Sequence, residues 1–321
     1  MNRRYGIIAN VFKTEAREAT RELASLLISA GVKQCTVIEG VDIADVERVQ
    51  KNASLLDIAL LSDIVFSVGG DGTMLSAARA IMRANPSAEL VGVNLGKMGF
   101  LAENPPDELP DIIKELKSGE IKKEERAFIQ ASIVSEATPV KGVVTKRDIL
   151  QSEKEGSESD CIELVALNDF VIDNYGSTRM LTLDIFIDGA MLGTLRADGL
   201  IIATPTGSTG YALSAGGPIV EPISPVHIIT AIAPHSLTVR PLIISNTSEI
   251  VVRITSEAST PALIVADGQE EIVVNTPAII TITKYPLSLH LLRRKDHSYF
   301  DLLRTKLLWS ADVRERGKGR W

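Results

Sequence analysis

The chain has 321 residues, 45% hydrophobic and 23% charged, which is the composition of a soluble globular protein long enough for two domains with cores of their own. Its formal charge of −7 and pI near 5.3 exclude the broad basic surface that duplex nucleic acid demands, and no apolar run approaches the ~20 residues that span a bilayer. The expected partner is therefore a small molecule, with no nucleic acid and no membrane.

In chain order, short apolar runs alternate with helical spacing through the first hundred residues. Met1 to Asn10 has a basic start but lacks a leader's apolar core and cleavage site, so it reads as a first strand of a cytoplasmic protein. Tyr5–Ala9 precedes Thr14–Ala30, Cys35–Ile38 precedes Ile43–Val49, Ile64–Val68 precedes Met74–Ala84, and Leu90–Asn94 closes the series. This alternation predicts an α/β N-terminal domain, a parallel sheet with helices on both faces, whose ligands bind beyond the carboxyl ends of strands.

Pro105-Pro106 ends the pattern; Asp107–Lys117 reads as a short helix and Gly119 as its stop. From Ala127 to about Leu292 the chain turns strand-dense and β-branched, at Ile129–Val134, Ile162–Leu167, Leu181–Ile187, Leu200–Ala203, Ile250–Ile254, Leu263–Val265, Ile279–Ile282 and Leu287–Leu292. The second domain should be mainly β. Gln151–Asp160, charged and Ser-rich, is expected as a solvated hairpin tip, and Tyr299–Trp309, amphipathic at helical spacing, as a helix packing on a core or partner chain. The expected division is 1–105 for the α/β domain, 106–292 for the mainly β domain and 293–321 for a C-terminal tail.

Gly69-Gly70-Asp71-Gly72-Thr73, between an apolar strand and a helix, is where chemistry is expected. Glycines suit positive φ or close approach to a ligand, and the helix start offers N–H groups and a positive dipole end to a phosphate. A carboxylate there is repelled by phosphate oxygens by ~1 kcal/mol at 4 Å in water, and by more in a drier cleft. A divalent cation would offset this, as would an acceptor hydroxyl whose proton Asp71 takes during phosphoryl transfer. The plainer alternative is a helix cap at Asp71 or Thr73 beside an ordinary Asp-Gly turn.

Other segments add weight unevenly. The glycine-rich Gly92–Leu101 matches neither the dinucleotide fingerprint nor the Walker A loop and reads as a structural corner. Asp198–Pro218 crowds hydroxyls, glycines and Tyr211 after a strand, which suits a sugar or purine edge, although a Ser/Thr turn capping a helix at Tyr211 would look similar. Asn168-Asp169, ending a strand, offers an amide and a carboxylate to paired ribose hydroxyls. Cys35 and Cys161 lie far apart without histidine at metal spacing, which argues against a disulfide framework or a zinc site, and no histidine is assigned a catalytic role.

Taken together and in this order, Gly69–Thr73, Gly92–Glu103, Ala166–Asp169, Asp198–Val220, Pro234–Pro241, Asp267–Gln269 and Phe300–Trp309 resemble the NAD kinase family. The resemblance implies transfer of the terminal phosphoryl group of ATP, with a divalent metal such as Mg²⁺, to the 2′-hydroxyl of the adenosine ribose of NAD, giving NADP. It carries the general base onto Asp71 and the phosphate loop onto Gly69, Gly70, Gly72 and Thr73. Dinucleotide contacts fall on Asp71 and Gly72, on Asn168 and Asp169 for ribose, and on Thr209, Gly210, Tyr211, Ala212, Leu213 and Ser214 for adenosine. Arg179, Arg196, Asp198 and Gln269 match further contacts, with Arg196 and Asp198 reaching across the interface of a homodimer or homotetramer. The metal ligands stay unassigned. Asp169 stands where the family often has Glu, and Gly210 where it usually has Ala.

Two other readings share part of this pattern. Lipid kinases of the diacylglycerol and sphingosine type resemble the chain at the Gly-Gly-Asp-Gly loop, but the hydroxyl-rich stretch is then unexplained and no basic amphipathic helix is seen. A dinucleotide sensor without activity explains the contacts and leaves Asp71 without a reason beside phosphates.

Overall fold

A parallel strand covered on both faces has to be apolar along its whole length, and Tyr5–Ala9 (β1) and Ile64–Gly69 (β4) are buried at every residue. The computed structural model describes residues 3–43, 49–96, 99–135, 161–176, 179–255 and 261–307. Two compact units divide the chain, Met1–Glu125 with Leu289–Trp321 and Arg126–Ser288.

The first unit is α/β. Thr14–Ser29 (α1) follows β1 and buries Ala16, Ala19, Leu23, Ala24 and Leu27, one face at helical spacing. Cys35–Ile38 (β2) and Val49–Ala53 (β3) come next, then Leu55–Leu61 (α2), started by a capping box between Ser54 and Asp57. After β4 come Asp71–Ala84 (α3), Glu89–Asn94 (β5) and Leu109–Ser118 (α4), which stops at Gly119. The strands pair in parallel in the order β3, β2, β1, β4, β5.

Of the helix expected over Ile43–Val49, residues 44–48 lie outside the described residues and Val49 opens β3 instead. The unit also runs past Pro105-Pro106. α4 sends Leu109, Ile112 and Ile113 into the same core as Ile7, Phe66 and Val91, so burial holds it with the first unit.

The second unit is mainly β. Lys122–Ser135 (β6) leads into it, followed by Ile162–Ala166 (β7), Asp169–Asn174 (β8), Leu181–Ile187 (β9), Ala190–Ala197 (β10), Gly199–Ala203 (β11) and the short helix Tyr211–Ser214 (α5). Val226–Ile232 (β12), Leu242–Ser245 (β13), Ile250–Ile254 (β14), Ala262–Ala266 (β15), Glu270–Val274 (β16) and Ala278–Arg293 (β17) complete the strands. One antiparallel sheet has the order β13, β12, β11, β8, β15, β16. It packs Phe170, Ile172, Leu200, Ile202 and Ile264 against Leu183, Ile185, Val252 and Ile280 from β9, β14 and β17.

The two strands expected at Ile279–Ile282 and Leu287–Leu292 are one strand, β17. Pro286 interrupts the apolar run where β17 stops pairing with β14, at Ile282, before it meets β5 at His290. That last stretch carries Leu292 into the core of the first unit, and Tyr299–Leu307 (α6) buries Leu302. The expected hairpin tip at Gln151–Asp160 lies outside the described residues, as do the last two residues of the expected helix at Tyr299–Trp309. Cys35 is buried and Cys161 exposed, both free thiols.

Candidate active site

The expected residues fall into two groups, one in each unit. In the first, β4 and β5 are neighbours, with Gly69 opposite Asn94, so the turns beyond their carboxyl ends lie side by side. Asp71 is the first residue of α3, at the positive end of its dipole. Its carboxylate turns onto the loop after β5: Phe100 N–H donates to Oδ2 at 2.9 Å, and Leu101 and Ala102 N–H donate to Oδ1 at 3.3 and 3.1 Å.

This loop is closed at its base. Asn94 Nδ2 donates to the Ala102 carbonyl at 3.1 Å and Asn104 Nδ2 to the Gly92 carbonyl at 2.7 Å, both asparagines being buried. Glu103, next along, accepts from Nε and Nη2 of the buried Arg293 at 2.9 and 2.6 Å, and Arg293 Nη1 donates to Glu124 at 2.8 Å. The Phe100 ring lies 5.4 Å from Lys306 Nζ on α6.

None of Gly69, Gly70 and Gly72 has positive φ; close approach is seen at Gly69, whereas a methyl on Gly70 would meet nothing within 4 Å. A methyl on Gly69 would overlap Thr73 Oγ1 and stand 2.9 Å from its Cβ. The capping alternative for Asp71 and Thr73 is corrected: Gly70 is the N-cap, no side chain caps the helix, and the Asp71 carboxylate binds the neighbouring loop.

In the second unit the site residues gather at one end of the six-stranded sheet, where β8 begins and β11 and β15 end. Asn168 N–H donates to Asp267 Oδ1 at 2.6 Å and Leu167 N–H to Asp267 Oδ2 at 3.1 Å, so one carboxylate grips the backbone that presents Asn168 and Asp169. The Asn168 carbonyl accepts Thr204 N–H at 2.8 Å, which ties the same turn to Thr206–Thr209, a 3₁₀ turn followed by α5. A methyl on Gly207 would sit 2.5 Å from the Asn168 carbonyl carbon and 2.8 Å from its Cα. Asn168 Oδ1 is buried without a hydrogen-bond partner, an acceptor available to a ligand hydroxyl.

Asp169 is 4% exposed, and burial first, then the charge of Asp267, pushes its carboxyl up to about 7. Gln269 completes this end through its N–H bond to the Ala266 carbonyl at 3.0 Å, on the turn that follows Asp267. Thr209 and Gly210 are half-buried, Ala212 is buried and Tyr211 is 47% exposed, its ring free to cover a ligand. Arg179, Arg196 and Asp198 are not brought to this group. Asp198 precedes β11 and Arg179 follows β8, so they belong to the opposite end of those strands, ~13 Å away at 3.3 Å per residue, with Arg179 and Arg196 exposed.

Two participants escape the sequence reading. Asp267 matches a family stretch but carries no assigned role there, and its work becomes visible only through bonds to residues about a hundred positions away. The loop Gly99–Ala102, within the stretch read as a structural corner, supplies every N–H bond seen on Asp71; its glycine and buried flanks are the local signal. Among the described residues no group of three or more His, Cys, Asp or Glu side chains could hold a metal ion, and no helix is long and apolar enough to cross a membrane.

Residues 5–121 match the family model for the ATP-NAD kinase N-terminal domain and residues 167–293 that for the ATP-NAD kinase C-terminal domain. An NAD kinase from Bacteroides fragilis is 35% identical over 314 residues, covering 97% of this chain and 99% of its own, and one from Pseudomonas entomophila is 34% identical over 312 residues, covering 96% of each. Among solved structures, yeast NADH kinase complexed with NADH superposes with a TM-score of 0.80 at 26% identity, covering 97% of this chain and 89% of that one. An Archaeoglobus fulgidus NAD kinase in complex with ATP gives 0.68 at 25% identity, covering 95% and 98%. With both domain models matched in order along a chain that aligns over nearly its full length with such relatives, this protein belongs to the NAD kinase family.

Proposed function

We propose that the protein is an ATP:NAD 2′-phosphotransferase. The observation that carries the reading is Asp71 itself, a carboxylate at a helix N-terminus with its orientation fixed by three backbone donors. In this reading Asp71 accepts the proton of the adenosine ribose 2′-hydroxyl while that oxygen bonds to the terminal phosphorus of ATP and ADP leaves. Asn168 and Asp169 hold the ribose hydroxyls, and Thr209–Ser214 and Gln269 receive the adenosine portion. Gly69, Gly70, Gly72 and Thr73 cradle the donor phosphates, using the dipole of α3. General-base help of this kind contributes ~10² to 10⁴ in rate, and positioning and electrostatics carry much of the rest.

A Mg²⁺ ion fits this donor set only as a guest of the phosphates. Three of the roughly four lone-pair sites of Asp71 already accept N–H groups and the fourth is the one the 2′-hydroxyl proton would take, so the ion would be held through the donor phosphates and water, the ligands Mg²⁺ commonly keeps. Bound there, the ion would neutralise charge developing on the donor phosphates. A cytoplasmic homo-oligomer, with Arg196 and Asp198 serving a neighbouring subunit, completes the proposal; gel filtration with light scattering checks the assembly.

The test is a coupled assay for NADP with NAD, ATP and Mg²⁺, repeated with NADH and with polyphosphate. NADP formation supports the reading. Calorimetric binding of NAD with no NADP under any donor would favour a sensor, and phosphorylation of diacylglycerol but not NAD would favour a lipid kinase.

A further inference from the structure

Gly99 is buried directly under the Asp71 carboxylate. A methyl group built on it would overlap Asp71 Oδ1 and Cγ and stand 2.7 Å from Oδ2, and these are the three atoms nearest to it. Gly99 does not lie in the positive-φ region, so left-handed backbone strain is not what calls for glycine there. The three atoms that stand closest to a side chain at position 99 therefore all belong to one functional group, the carboxylate of Asp71. By contrast, a methyl on Gly96, three residues earlier in the same loop, would find its nearest neighbour, Asn94 Oδ1, at 4.0 Å.

The next three residues, Phe100, Leu101 and Ala102, donate the N–H groups that hold that carboxylate. We propose that Gly99 is a positioning residue for the phosphoryl transfer: the bare Cα at 99 is what admits the Asp71 carboxylate to its backbone cradle and so fixes the direction from which the proton acceptor meets the 2′-hydroxyl. The inference rests on the reading of Asp71 as proton acceptor. Gly99 acts through Asp71 and touches no substrate itself. An alanine at 99 swings the short Asp71 side chain out of the cradle, because a carboxylate end moves more easily than the packed backbone of the loop.

The experiment is a double-mutant cycle on the full chain with Gly99→Ala and Asp71→Ala, read by kcat, by KM for NAD and by thermal melting. Gly99→Ala should lower kcat about 100-fold or more, the scale of a lost general base, with KM for NAD changed less than about threefold. Asp71→Ala removes all three of these atoms, so adding Gly99→Ala should cost less than about a further threefold in rate and should not lower the melting temperature below that of Gly99→Ala alone. Gly96→Ala should keep kcat within about threefold, as expected for a methyl with open space around it. A near-normal kcat for Gly99→Ala overturns the proposal, as do losses that multiply in the double variant. Should Gly99→Ala fail to fold, the Asp71→Ala/Gly99→Ala protein decides: folding supports the cradle, and failure to fold overturns it. A wild-type protein that makes no NADP would defeat the assigned activity, and the thermal cycle would still be measurable.

Discussion

The backbone N–H of Asn168 donates to Oδ1 of Asp267 at 2.6 Å, a bond between residues 99 positions apart that sets the direction of the proposed ribose contacts. Oδ2 of the same carboxylate takes the Leu167 N–H at 3.1 Å. In Asp267→Asn one of these acceptors becomes an NH₂ group facing a backbone donor. The expected loss is about 2 to 3 kcal/mol of unfolding free energy, the usual scale for a broken charge-assisted bond that leaves a buried donor unpaired, together with a raised KM for NAD. Urea unfolding and steady-state kinetics check both; an unchanged midpoint and KM would contradict the argument.

Asp71→Asn removes the proton acceptor while keeping one oxygen for the loop. We expect NAD to bind, by calorimetry, within a few-fold of wild type, and kcat to fall by ~10² to 10⁴. A variant with near-normal kcat would remove Asp71 from the chemistry.

Asp169 makes stability depend on pH. Its folded carboxyl is raised to about 7 by burial and by Asp267, above the ordinary 3.8, so the neutral form fits the fold. The stability this confers is complete below about 3.8 and is lost as pH rises through about 7, up to roughly 4 kcal/mol. His227 works in the opposite sense: burial holds it down to about 4, so its share is present above 6.5 and lost as pH falls through 4. Subtracting the two unfolding curves cancels His227, and the stability of Asp169→Asn minus that of wild type should grow between pH 4 and 8. A flat difference would show that Asp169 does not titrate in that window.

Arg293 is 4% exposed and joins two largely buried carboxylates, Glu103 and Glu124. Arg293→Met leaves both without this partner and should cost about 3 to 5 kcal/mol. Adding Glu103→Gln should restore part of that loss, which a melting series would reveal.

Gly207→Ala pushes a methyl against the backbone of Asn168, 2.5 Å from its carbonyl carbon. Backbone cannot step aside as a side chain can, so KM for NAD should rise about tenfold or more as the ribose contacts shift. An unaltered KM would mean that the turn at 204–209 and Asn168 are not coupled in binding.

The α/β character of the first unit was legible because its strands are buried on both faces and its helices carry apolar residues on one side, as in β1, β4, α1 and α3. Legible too were the Asp71 turn, the Asn168-Asp169 pair and the hydroxyl-rich segment after β11. Other strands were missed. Asp188 and Gly189 take positive φ and join β9 to β10, yet β10 was not read because Ala190–Leu192 and Arg196 face outward and break the alternation. β3 was missed because Val49–Ala53, with Gln50, Lys51 and Asn52, lacks strand composition and forms by pairing with β2.

By itself, then, the sequence marked the candidate residues for the chemistry and most of the strands and helices around them, since periodicity and turn composition act over a few residues. Only the tertiary structure decided how those residues are aimed. Asp71 is held by amides 29 to 31 positions downstream, and the turn of Asn168 and Asp169 by a carboxylate about a hundred positions away. Hydrogen bonds of that span are set by which strand ends become neighbours, a property of the folded sheet that leaves no period in the chain.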